Sequence, residues 1–137
     1  HACEWVARLG DAGSRITVLL QDYRLLEGTF DKIVSIEMFE AVGEEYWPSY
    51  FGKIAEVLKP GGRLVVVDFA PHTLEHLRTD HAHRHLGVSE ADLERWAEKA
   101  GLAVKSAKTF RSPDGDKGIA VMVWSADSEK TAKRSAA

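Results

Sequence analysis

The sequence predicts an α/β fold: a mostly parallel sheet with right-handed crossovers, ending in an antiparallel hairpin. Three observations carry this. Short, nearly unbroken apolar runs rich in β-branched residues recur along the chain, as in strands buried on both faces. Segments with helical apolar spacing alternate with them. The last two runs are separated by turn residues alone (Ser112-Pro113-Asp114-Gly115-Asp116-Lys117-Gly118), which is the signature of a hairpin.

Taken in order, Ala2 to Leu9 reads as the end of an amphipathic helix, with Trp5, Val6 and Leu9 on one face and Gly10 and Gly13 at its exit. Arg15 to Leu20 (RITVLL) reads as the first buried strand and Phe30 to Ile36 (FDKIVSI) as the second. Tyr46 to Leu58 is a helix with Phe51, Ile54 and Leu58 on one face and Pro48 in its first turn. Lys59-Pro60-Gly61-Gly62 stops it and makes a turn, because proline cannot continue a helix and glycine permits reversal. Arg63 to Phe69 (RLVVVDF) is the third strand. A polar, His-rich helix is expected from about Thr73 to Leu86. Ser89-Glu90-Ala91-Asp92 resembles a capping box with Asp in place of Glu. It opens a helix carrying Leu93, Trp96 and Ala97 on one face, with Gly101 past its end. Leu102 to Phe110 and Ile119 to Trp124 form the hairpin. Residues 1–126 therefore read as one domain, and 127–137 as a polar, disordered tail.

Composition narrows the class. The 137 residues are 45% hydrophobic and 28% charged, which excludes fibrous and wholly disordered chains. A chain of this length buries roughly two-thirds of its unfolded surface, enough for a sizeable core. No apolar run approaches the length of a membrane-spanning helix. One cysteine, Cys3, excludes an internal disulfide framework and suits a cytoplasmic setting. A net charge of -3 argues against nucleic acid as a partner. The start at His1, without an initiator Met or a signal peptide, reads as a fragment or a processed piece.

In parallel sheets ligands sit at the carboxyl ends of the strands. Asp22 follows the first predicted strand, Glu37 and Glu40 follow the second, and Asp68 ends the third. This placement points to a binding site. Asp68 reads equally as a substrate-facing carboxylate or a plain strand-end one. His72, His76 and His83 fall within about 40° of one another on a helical wheel. Three imidazoles on one face suit zinc. No cysteine lies near and the spacing matches no standard zinc signature, so no metal is expected and a polar lid is the plainer role. His81 is the candidate general base from this cluster. Tyr46 and Trp47, before the helix, read as a hydrophobic staple or as the border of an acyl entrance.

The stretch from Leu19 to Val66 carries QDYR, SIEMFEAVG and LKPGG in an order and spacing that resemble the cyclopropane-fatty-acyl-phospholipid synthase family. That family belongs to the class I S-adenosylmethionine (SAM) methyltransferases. DFAPHTLEHLRTDHAHRHLGVSEADLERWAEKAGL, from Asp68 on, looks more like methyltransferase domains fused to ArsR-type regulators. The resemblance implies a Rossmann-like class I methyltransferase fold that is N-terminally truncated: the first strand, Gly-rich turn and second strand are missing. By the family's sheet order the missing strands would lie between the first and second strands here, leaving an exposed edge that invites aggregation.

The resemblance also implies a site. Asp22 and Tyr23 flank the adenine of SAM, with the carboxylate accepting from the exocyclic amine. The backbone of Ser35, Ile36 and Glu37 lines the SAM pocket. Glu40 matches the glutamate that helps to hold a bicarbonate as general base, after an alkene carbon attacks the SAM methyl. Val67 stands where that family has a histidine. The implied acceptor is an unsaturated phospholipid acyl chain, reached by peripheral membrane contact. The alternatives are a small-molecule acceptor, as in the ArsR-fused type, or a non-catalytic remnant without a complete SAM site.

Overall fold

The computed structural model describes residues 2–39, 41–72, 87–111 and 120–131. Among these, four strands make one sheet: β1 (Phe30–Ile36), β2 (Leu58–Phe69), β3 (Leu102–Phe110) and β4 (Val121–Ser128). Their order is β1-β2-β4-β3, with β1 parallel to β2 and the other two pairings antiparallel. The sheet is thus mixed rather than mostly parallel. Among the described residues, three α-helices accompany it: α1 (Ala2–Ala7), α2 (Trp47–Val57) and α3 (Glu90–Lys99). Among the described residues, no helix is long and apolar enough to cross a membrane.

Sequence dictates these elements locally. In α2, Trp47, Tyr50, Phe51, Ile54 and Val57 recur at helical spacing and all are buried. Pro48 occupies the first turn, where no N–H is needed. Ser89 caps α3: its Oγ accepts from the Asp92 N–H at 3.1 Å and donates to Asp92 Oδ2 at 2.6 Å. Gly101, with φ +77°, takes the left-handed position just past that helix.

One face of the sheet carries the core. Leu64 and Val66 of β2 and Met122, Trp124 and Ala126 of β4 pack against α2 and α3, joined by Phe39, Leu93 and Leu102. The opposite face is more open. Val34 pairs with Val65, Ile36 with Val67, and Val67 with Val123. Val34 is 60% exposed and Ile36 63%. Arg63 and Asp127, paired across β2 and β4, close a bidentate ion pair at 2.7 and 3.0 Å.

Several expectations need correction. Arg15 to Leu20 is not a strand: it has no ladder partner among the described residues, and Ile16, Val18, Leu19 and Leu20 are exposed. An extended apolar segment becomes a strand only when a neighbour satisfies its backbone. Lys59 to Gly62 is no separate turn before a strand but a bulge inside β2. While β1 advances from Phe30 to Lys32, β2 advances from Leu58 to Arg63. Gly61 (φ +68°) allows the excursion. Asp127 and Ser128, expected in the tail, complete β4 because Arg63 and the register with β3 hold them. Helix α1 is shorter than expected and buries no residue. The expected helix at 73–86 and the hairpin turn at 112–118 lie outside the described residues.

Candidate functional site

The carboxyl end of β1 opens onto a cleft of about 540 Å³ lined by Gln21, Asp22, Tyr23, Ile36, Glu37, Met38, Ala41 and Val42. Two segments far apart in sequence make its walls. One is the chain entering the 3₁₀ turn Tyr23–Leu25; the other is the turn that leaves β1. A second hollow of about 270 Å³ adjoins it, sharing Tyr23, Ala41 and Val42 and adding Arg24, Gly43 and Tyr46.

Asp22 caps the 3₁₀ turn, accepting from the Arg24 N–H at 2.9 Å. The Arg24 guanidinium also grips the same carboxylate, with Nε at 3.0 Å from Oδ1 and 3.1 Å from Oδ2. These bonds lower the Asp22 carboxyl to about 2, so it is ionised throughout the neutral range. Asp22 is exposed and lines the cleft. Tyr23 is half-buried, with its ring edge-on to Tyr50 at 5.6 Å. Burial raises its phenol.

On the other wall, Ile36 and Glu37 line the cleft. Glu37 is the one non-glycine residue of positive φ among the described residues, at +49°. Its N–H reaches the Val67 carbonyl at 2.9 Å, so the backbone turns sharply as it leaves the strand. Ser35 sits differently. Period-two alternation turns its side chain to the buried face, where it is 7% exposed and absent from the cleft lining. Its Oγ faces the Tyr50 hydroxyl, and neither atom has a partner of hydrogen-bonding geometry. Burial pushes the Tyr50 phenol up to about 12.

Asp68 does not line the cleft. It is 1% exposed beneath the turn after β1. Its Oδ2 accepts from the Phe39 N–H at 2.9 Å and its Oδ1 from the Phe69 N–H at 2.8 Å. Burial raises its carboxyl, against the lowering effect of bonds from the Phe39, Phe69 and Met38 N–H groups. Trp47 is the first residue of α2 rather than a staple before it: it is buried edge-on to Phe39 at 5.4 Å, and its Nε1 donates to the Val42 carbonyl at 3.1 Å. Tyr46 is 44% exposed at the second hollow.

Glu40 and His81 lie outside the described residues, as do His76, His83 and His85. Among the described residues, no cluster of three His, Cys, Asp or Glu could hold a metal ion. Sequence reasoning missed Met38, Ala41 and Val42 as lining residues. All three fall within the quoted SIEMFEAVG stretch, from which only Ser35, Ile36, Glu37 and Glu40 were assigned to the site.

The family model for mycolic acid cyclopropane synthetase matches residues 2–104. The tuberculostearic acid methyltransferase of Mycobacterium tuberculosis is 43% identical over 54 residues, covering 39% of this chain and 13% of that protein. The cyclopropane-fatty-acyl-phospholipid synthase of Escherichia coli is 43% identical over 68 residues, or 50% of this chain and 16% of that protein. The matched regions are thus a small part of these curated relatives. Among solved structures, magnesium protoporphyrin IX methyltransferase from Synechocystis, with bound SAM, superposes with a TM-score of 0.69 at 16% identity. That match covers 93% of this chain and 52% of the other. A cyclopropane synthase from Mycobacterium tuberculosis gives 0.64 at 13% identity, covering 90% and 66%. These likenesses show the α/β methyltransferase fold.

Proposed function

The chain belongs to the mycolic acid cyclopropane synthetase family, and on that premise we propose that its cleft takes SAM for methylene transfer to an unsaturated fatty-acyl chain. One observation carries the reading. The two stretches that resemble the family's cofactor-binding segments, Asp22–Tyr23 and Ile36–Glu37, are brought together on opposite walls of one cleft.

The residues present fit the cofactor. Ile36, Met38, Ala41 and Val42 offer apolar surface to a flat ring, and the cleft volume is that of an ordinary small-molecule site. Asp22 is held ionised and accepts from amine or hydroxyl donors. Glu37 adds a carboxylate to the cleft, whereas the charge of Asp22 is already offset by Arg24. When bound, SAM supplies an electrophilic methyl group. Arg24 fixes the rotamer of Asp22, so that acceptor is preorganised. The tight turn at Glu37 brings the backbone of β1 up to the cleft. A bicarbonate held by Glu40 as base draws its support from the family resemblance alone.

Calorimetry with S-adenosylhomocysteine tests the cofactor reading. A dissociation constant on the order of 0.1–1 mM is expected, because the cleft is open on its remaining sides. No saturable binding up to roughly 5 mM overturns it. Methyl-labelled SAM with vesicles of unsaturated phospholipid tests the acceptor. Label in the lipid, lost on Glu40→Gln without loss of cofactor affinity, is the expected pattern.

A second reading has its own observation. Val67, half-buried at the end of β2, presents no imidazole where the cyclopropane synthases have one. That favours a small-molecule acceptor, as in the ArsR-fused domains. Absence of label from every lipid, together with cofactor binding, selects it.

A further inference from the structure

We infer that Asp68 is a positioning residue of the cleft, holding through backbone N–H groups the left-handed turn that forms one wall and, through Phe39 and Tyr50, fixing the opposite wall as well. This rests on the reading of the cleft as the cofactor site.

The turn is improbable by itself. Glu37 adopts φ +49°, a region that non-glycine residues seldom occupy and that persists where surroundings over-determine it. Two restraints surround it. The Glu37 N–H is tied to the Val67 carbonyl at 2.9 Å. Two residues on, the Phe39 N–H is tied to Asp68 Oδ2 at 2.9 Å. Both anchors belong to adjacent residues of β2, so the turn is clamped to one rigid strand. Asp68 Oδ1 is itself held by the Phe69 N–H at 2.8 Å, which fixes the carboxylate rotamer.

A carboxylate is needed chemically. Both oxygens accept from N–H donors, and the side chain is 1% exposed, so no water replaces them. Asparagine offers one oxygen and sets an amide NH₂ against the remaining N–H.

The second wall follows from ring packing. The Phe39 ring lies edge-on to Tyr50 at 4.8 Å, and Tyr50 lies edge-on to Tyr23 at 5.6 Å. Tyr23 lines the cleft opposite Glu37 and Met38. All of Phe39 and Tyr50 is buried, so displacement of Phe39 has no solvent gap to absorb it.

The test is amide hydrogen exchange by NMR, with S-adenosylhomocysteine titrations, on the 137-residue chain and its Asp68→Asn variant. Asp127→Asn serves as control: it breaks an ion pair of the same sheet remote from the turn. Asp68→Asn should speed exchange at Phe39 by at least roughly tenfold. The central amides of Leu64 and Trp124 should keep their protection, and cofactor-analogue affinity should fall roughly 5- to 20-fold. Asp127→Asn should leave both the turn and the affinity unchanged. A uniform rise in exchange across the sheet, or local opening with unchanged affinity, overturns the inference. If the wild-type chain binds no analogue, the cofactor reading fails, and the inference fails with it as a statement about the cleft. The exchange data then still report whether Asp68 holds the turn. If Asp68→Asn does not fold, the wild-type chain decides: saturating analogue should slow exchange at Phe39 and shift the Tyr23 ring resonances. Unchanged signals at both overturn the inference.

Discussion

The outer edge of β1 has no strand partner among the described residues, and Val34 stands on it 60% exposed. An unpaired edge of this kind templates pairing with another chain. Val34→Lys is therefore expected to weaken self-association. Full burial of a valine side chain is worth about 1.5–3 kcal/mol, so the exposed 60% is worth about 1–2 kcal/mol per chain. When two copies pack their open faces together beside this edge, both valines are covered, giving about 2–4 kcal/mol. That corresponds to roughly 1.5 to 3 decades in the dissociation constant. Lysine also adds like-charge repulsion between the copies. Because Val34 lies on the open face, the folded monomer should lose no more than about 0.5 kcal/mol. Sedimentation velocity over a concentration series measures the association, and urea unfolding monitors the fold. A wild-type chain that stays monomeric at high concentration, or a variant that associates as strongly as wild type, refutes the reasoning.

Three further outcomes follow from the core, the cap and the cleft. Phe51, 1% exposed between Tyr50, Phe39 and Trp124, should cost about 3–5 kcal/mol when replaced by alanine. Urea unfolding checks this, and a loss below about 1.5 kcal/mol contradicts the packing described. Ser89→Ala should cost about 1 kcal/mol by orphaning the Asp92 N–H; unchanged stability would show the cap to be unimportant. The Asp22 carboxyl should titrate near 2 by NMR, and Arg24→Ala should return it toward 3.8. Since the folded value is depressed, the pair stabilises the fold above about pH 4 and ceases to do so as pH falls through 2. A wild-type midpoint near 3.8 removes the Arg24 grip from the account.

Local signals made much of this protein legible. Apolar spacing in Trp47–Val57, Pro48 in its first turn, the Ser89–Asp92 cap and the β-branched run before Asp68 each act within a few residues, so each was readable in one dimension. The cleft was legible in part, because Asp22, Tyr23, Ile36 and Glu37 lie in segments with a recognisable order and spacing. Tertiary structure decided the rest, wherever the outcome depends on a distant neighbour. RITVLL has the composition of a strand, but hydrogen-bond partners make a strand, and none stands beside it among the described residues. Asp127 looked like tail until Arg63, paired across the sheet, held it in β4. Ser35 and Ile36 are adjacent in sequence, yet the pleat sends one beneath the sheet and the other to the cleft. Asp68 looked like one more acid at a strand end. Its bond to the Phe39 N–H, 29 residues away, makes it a buried acceptor for backbone rather than a group aimed at ligand.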